Sequence, residues 1–185
     1  MQPTNDDPRT DQKLIDAVNL GDDRAFEALY RRHRDWVVNL AFRFTGDHAL
    51  ALDVLQETFL YFLKKFPGFT LTCQLRSFLY PAVRHLAIAA RRKAERLQSE
   101  DGGLPELEAP PPAPIGDTAR DQLAAVVAAL PETQREVLLL RFVDGLSLNE
   151  IAEALEIPLG TVKSRLHNAL DALRRDERTR ESFDQ

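Results

Sequence analysis

The chain has 185 residues, 44% hydrophobic and 29% charged, with a net charge of −5 and a single cysteine. That size allows one or two globular domains. The apolar runs are too short and too broken by charge for a membrane span, and the polar, acidic start MQPTNDDPRTDQK has no apolar leader stretch. Cys73 alone supports neither an internal disulfide nor a cysteine-based zinc site, and His33, His48, His85 and His167 lack metal-ligand spacing. No metal, cofactor or small-molecule substrate is therefore expected, and the address these absences imply is cytoplasmic.

Charge is unevenly spread. Residues 23–99 carry 13 basic and 7 acidic groups, whereas residues 100–117 carry no basic group and five acidic ones. A basic body beside an acidic connector is compatible with a nucleic-acid partner despite the negative total.

Apolar residues recur at three- and four-residue steps along both halves of the chain, which predicts helices throughout. Gly21 and Gly46 fall where the first helices should end. In residues 48–66, HALALDVLQETFLYFLKKF, an apolar stripe of Leu55, Phe59, Phe62, Leu63 and Phe66 lies opposite Asp53, Gln56, Glu57 and Lys64. Carboxylates at i, i+4 can hold a metal or share a proton, but nothing nearby supplies further ligands. A solvated acidic face is the commoner meaning of such a stripe.

The next helix contains RSFLYPAVRHLAIAARRKAER, with an apolar stripe of Leu75, Phe78, Leu79, Ala82, Val83 and Leu86. Its other face reads as Ser77, Tyr80, Arg84, His85, Ile88, Arg91 and Arg92, with Lys93 and Arg96 beyond. Cations with an aromatic among them suit single-stranded DNA; taken alone, a solvated basic face is the simpler reading. Pro81 should start or kink this helix.

Residues 99–117, SEDGGLPELEAPPPAPIGD, are rich in proline, glycine and acids and read as an extended linker. They separate a domain of residues 12–98 from one of residues 118–176. The expected architecture is all-α: two small helical domains on a flexible acidic, proline-rich tether, the second containing a helix-turn-helix.

In that second domain Leu123, Val126, Val127 and Leu130 form one stripe, Pro131 opens a helix, and Gly145 closes it. Ser147 and Glu150 then make an S-x-x-E capping box, and Ile151, Ala152 and Leu155 form the apolar face of the helix it starts. Pro158 blocks continuation. A final helix from about Leu159 or Gly160 packs through Val162, Leu166, Ala169, Leu170 and Leu173. Lys163, Ser164, His167 and Asn168 lie opposite, flanked by Thr161 and Arg165, the composition of a recognition helix in a major groove. An ordinary helical hairpin with a polar face remains the alternative on spacing alone. GTVKS lacks the frame of a phosphate-binding loop.

LPETQREVLLLRFVDGLSLNEIAEALEIPLGTVKSRL closely resembles the carboxy-terminal DNA-binding region of bacterial RNA polymerase sigma factors of the extracytoplasmic-function (ECF) group, within the sigma-70 family. The resemblance places Pro158, Thr161, Lys163, Ser164, Arg165, His167 and Asn168 at contacts to the promoter's minus-thirty-five element. Asn168 stands where the family usually has a basic residue, and asparagine suits adenine. Asp53, Gln56, Glu57 and Phe59 likewise resemble the D-x-x-Q-E-x-F motif of sigma region two, which docks on the polymerase β′ clamp. Leu52 replaces a common acid there.

By the same resemblance, Tyr80, Arg84, His85, Ile88, Arg91 and Arg92 would meet the melted minus-ten strand, and residues 69–75 would be the base-selecting loop. Phe78, Pro81, His85 and Ala89 depart from the family's usual residues. The resemblance implies a promoter-recognition subunit without enzyme chemistry, partnered by core RNA polymerase (β′ clamp and β flap), promoter DNA and an anti-sigma factor. A stand-alone helix-turn-helix regulator is the rival, and it would have no use for the Asp53 stripe. A nucleic-acid-processing enzyme built on Asp53 and Glu57 is a second rival, short of ligands.

Overall fold

The computed structural model describes residues 7–100 and 119–176, with side chains over 7–97 and 122–176. The expected linker lies outside the described residues from position 101 onward; its first two residues, Ser99 and Glu100, continue a helix. The chain divides into two compact units between residues 105 and 106. Every regular element among the described residues is an α-helix.

The first unit comprises α1 (Asp11–Asn19), α2 (Asp23–Thr45), α3 (His48–Leu63) and α4 (Leu75–Glu100). Local chemistry sets the starts. Thr10, Asp22 and Asp47 each accept hydrogen bonds from first-turn amides, Asp47 from Ala49 and Leu50 at 2.6 and 3.0 Å. Such caps contribute about 1 kcal/mol apiece. Gly46 ends α2 at a φ of 69°, a left-handed turn that costs glycine nothing sterically.

The helices of this unit pack around α2, and Leu14, Ile15, Leu29, Leu40, Val54, Phe62, Leu75 and Leu79 are fully buried between them. An aromatic cluster fills the end of the core nearest the α3–α4 loop, where Phe62 meets Phe26, Phe66, Phe69 and Phe78 with centroids 5.2 to 6.0 Å apart. Hydrogen bonds tie α1 to α2: the Asp11 carboxylate is bonded to both Arg32 and His33.

α4 starts at Leu75 and runs through Pro81, so the proline does not begin it. The missing amide costs one bond in the second turn. Fully buried Leu75 and Leu79 hold that end of the helix in place regardless.

The second unit comprises α5 (Ala119–Ala129), α6 (Glu132–Phe142), α7 (Leu148–Leu155) and α8 (Leu159–Arg175). Leu130, Leu138 and Ala169 form its core cluster, with Val127, Leu166, Leu170 and Leu173 packed around them. The expected capping box is present. The Ser147 amide donates to Glu150 Oε2 at 2.6 Å, and the Glu150 amide donates to Ser147 Oγ at 3.3 Å. The chain reverses at Glu156, which caps α7 at a left-handed φ of 53°, before Pro158 leads into α8.

Candidate functional site: a docking stripe, a basic helix and a helix-turn-helix

α3 is two-faced. Val54, Leu55, Thr58, Phe59 and Phe62 are buried, while Asp53, Gln56 and Glu57 are exposed one turn apart. Phe59 is 4% exposed, its ring edge-on to Tyr30 at 4.8 Å and to Phe26 at 6.2 Å. It therefore belongs to the core rather than to a docking contact, because position 59 follows the inward stripe of 55 and 62. Leu52 and Leu60, 50% and 56% exposed, bracket the polar side chains instead. Leu60 carries no motif letter, but its i+4 relation to Gln56 and i+3 relation to Glu57 place it on their face.

α4 corrects the expectation for Tyr80. This ring is 1% exposed and lies edge-on to Phe44 at 6.5 Å; Ser77 is buried as well. The first turns of α4 lie against α2, through Phe44 on Tyr80, and against α3, through Tyr61 and Phe62 on Phe78, so the stripe that is half-buried at Arg84 and Ile88 and exposed at Arg91 is interior here. The exposed aromatic in this part of the unit is Tyr61, 6.3 Å from Phe78 in a stacked arrangement and covered by the Lys65 ammonium at 4.6 Å.

Further along, His85, Arg91, Arg92, Lys93 and Arg96 are exposed, while Arg84 and Ile88 are half-buried. Arg91 is steadied by Glu95 at 3.3 Å and by the Phe44 carbonyl at 3.3 Å.

In α8, Val162 and Ala169 are fully buried, so Lys163, Ser164, His167 and Asn168 face out; Thr161 and Arg165 are half-buried at the edge. Ser164 Oγ donates to the Thr161 carbonyl at 3.0 Å, leaving its acceptor capacity outward. No side chain caps α8 at Pro158, so the positive end of the helix dipole is open to an anion. Among the described residues no three His, Cys, Asp or Glu side chains gather to hold a metal ion, and no helix is long and apolar enough to cross a membrane.

One helical unit carries an exposed polar stripe and a basic helix, and the other a helix-turn-helix, the arrangement of an all-α nucleic-acid-binding class. Comparison with known proteins specifies it further. Residues 29–97 match the family Sigma-70 region 2, and residues 120–173 match Sigma-70, region 4.

The chain is 31% identical to the RNA polymerase sigma-H factor of Pseudomonas aeruginosa, over 88% of this chain and 91% of that protein. It is also 31% identical to the ECF RNA polymerase sigma factor SigW of Bacillus subtilis, over 90% and 96%. Among solved structures, the sigma factor RpoE in complex with the anti-sigma factor NepR from Bartonella quintana matches with a TM-score of 0.58 at 25% identity, covering 80% of this chain and 92% of that one. The chain belongs to the sigma-70 family of RNA polymerase sigma factors, in its extracytoplasmic-function group. The stand-alone regulator is thereby set aside.

Proposed function

We propose that α3 is the core-polymerase docking surface, through Asp53, Gln56 and Glu57 with Leu52 and Leu60 as an apolar rim. The observation that carries this is the simultaneous exposure of those three polar side chains on a helix whose opposite face is sealed in the core. Polar groups giving direction, ringed by apolar ones that exclude water, suit a reversible interface.

Arg84, His85, Ile88, Arg91 and Arg92 on α4 then face the melted minus-ten strand, together with the loop of residues 69–75. Pro158, Thr161, Lys163, Ser164, Arg165, His167 and Asn168 meet the minus-thirty-five element. Within that set Ser164, His167 and Asn168 read base edges, while Lys163 and Arg165 hold the backbone. Residues 12–98 and 118–176 act as two domains across a linker of residues 99–117.

Residues 118–175 hold seven basic and eight acidic groups, so this domain alone grips duplex phosphate weakly. Joining two weak contacts on one polymerase raises their combined affinity. The protein acts in the cytoplasm, catalyses no reaction itself, and is restrained by an anti-sigma factor, as the complex of the Bartonella relative suggests.

The test is competition for core polymerase followed by run-off transcription. Replacing Asp53, Gln56 and Glu57 together by alanine should weaken core binding by more than about tenfold, ~1.4 kcal/mol, with helicity intact. Unchanged competition by that variant would reject the docking assignment.

A further inference from the structure

The loop between α3 and α4 is tied at its entry by a residue far away in sequence. Asn19, the last residue of α1, donates from Nδ2 to the Phe69 carbonyl at 2.8 Å. Its Oδ1 accepts from the Gly68 amide at 2.7 Å and the Phe69 amide at 3.1 Å. An amide turned the other way would set its NH2 against two N–H donors, so only one orientation satisfies the loop. Gly68 has a φ of 96°, a conformation that side-chain-bearing residues rarely adopt. The Phe69 ring is plugged among Phe62, Phe66 and Phe78 at 4.8 to 5.6 Å.

Past this entry, exposed Thr70, Thr72 and Gln74 alternate with half-buried Leu71 and Cys73, until fully buried Leu75 begins α4. The five residues 70–74 are thus strung between two fixed points.

We propose that Asn19 is a positioning residue for promoter selectivity: its carboxamide holds the start of the loop of residues 69–75 so that the loop offers one constant set of side chains to the melted minus-ten strand. This rests on the assignment of that loop to minus-ten DNA made above. A purely structural role, fastening α1 to the body, is already filled by other groups. Leu14 and Ile15 are fully buried, and Asp11 is bonded to Arg32 and His33. All three Asn19 bonds go to loop backbone, so the constraint they impose falls on the loop. Releasing one end multiplies the conformations open to residues 70–74, and base discrimination drops because no single arrangement persists.

The experiment uses full-length protein with core polymerase on a promoter library randomised at both elements, alongside hydrogen exchange of the free protein. Asn19→Ala should reduce minus-ten base discrimination by about three- to tenfold, the scale of one net hydrogen bond. Minus-thirty-five preferences and core competition should stay as in the wild type. Gly68 and Phe69 amides should lose protection while those of α2 and α3 keep theirs.

Ile15→Val, which trims the packing of the same helix and leaves the Asn19 carboxamide in place, should leave minus-ten preferences unchanged. Wild-type preferences in Asn19→Ala, or equal flattening by Ile15→Val, would overturn the proposal. A wild-type holoenzyme with no minus-ten preference would overturn it too, and the exchange data separate the causes. Protection lost in Asn19→Ala would then mean that the clamp is real but the loop does not read DNA; protection retained would mean that there is no clamp.

Discussion

In the first unit Phe62 meets the rings of Phe26, Phe59, Phe66, Phe69 and Phe78, and none of its own surface reaches solvent. The core cluster of the second unit contains only aliphatic side chains, and the one Phe, Tyr or Trp among its described residues, Phe142, is 63% exposed. A large ring excludes much water per residue and supplies dispersion contacts in many directions. Aliphatic side chains between short helices give less per residue, and among the described residues one side-chain cap, the box at Ser147, holds a helix start in the second unit, where three do so in the first. Both units are held by contacts distant in sequence, made largely by aromatic rings in the first and by aliphatic side chains between α6 and α8 in the second.

Substitutions at four positions put that contrast under strain. Phe62→Ala should have the largest effect, about 3–5 kcal/mol, and should act on the first unit alone. Trp36 is the chain's one tryptophan and lies in that unit. Its fluorescence in a urea titration should therefore shift to a lower midpoint, while the part of the far-ultraviolet dichroism belonging to the second unit stays put. A common shift of both signals would mean that the two units unfold together.

Asp11→Ala comes next, at about 2 kcal/mol for the hydrogen bonds lost from charged and ring N–H donors. The same carboxylate makes the first unit acid-sensitive. Burial alone would raise its pKa, but the bonds from His33 and Arg32 outweigh burial and hold it below the usual value of 3.8. A depressed folded pKa means that the stabilisation is complete above the unfolded pKa and is lost as pH falls through the folded one. Urea midpoints read by Trp36 should therefore hold from pH 7 to about 5 and decline below the unfolded value, and part of that decline should vanish in Asp11→Asn. An acid profile identical in Asp11→Asn would count against the α1–α2 tie.

Ser147→Ala removes the hydroxyl half of the capping box, while the backbone amide at 147 can still donate to Glu150, and should cost about 1 kcal/mol. Here dichroism should report the loss and Trp36 should not. The smallest change is Glu156→Gly. Relief of the left-handed strain, roughly 1–2 kcal/mol, is partly offset by the entropy glycine loses, ~0.5–1 kcal/mol. The second unit should become slightly more stable, measured by calorimetry. A lower transition temperature would show that Glu156 contributes more through its side chain than its backbone conformation costs.

The helices and their ends were largely legible because caps, glycines and prolines act locally: Gly21, Gly46 and Gly145 all take positive φ where helices finish. The outward face of α8 was also legible, since its inward positions are fixed by one periodic stripe. Legibility failed where a third element intervened. Tyr80 shares a stripe with Arg84, Ile88 and Arg91, yet α2 covers the first turns of α4 and takes the ring inside. Phe59 was grouped with Asp53, Gln56 and Glu57 because they share a motif, although its position follows the buried stripe. Leu60, which carries no motif letter, was passed over. The Asn19 clamp spans about fifty positions and is made to backbone, so neither periodicity nor residue type announces it.

The double character of α3 matters for reading genetics. With the docking role proposed above, its outward side chains can change without disturbing the fold, so the strength of polymerase engagement would drift or be selected while protein abundance stays constant. Its inward side chains have no such freedom. A screen for lost transcription would return alleles on both sides of this one helix, and activity alone would not distinguish them. Immunoblotting would: alleles at Asp53, Gln56 or Glu57 leave a full-strength band of inactive protein, and alleles at Val54, Leu55 or Phe59 leave a faint one.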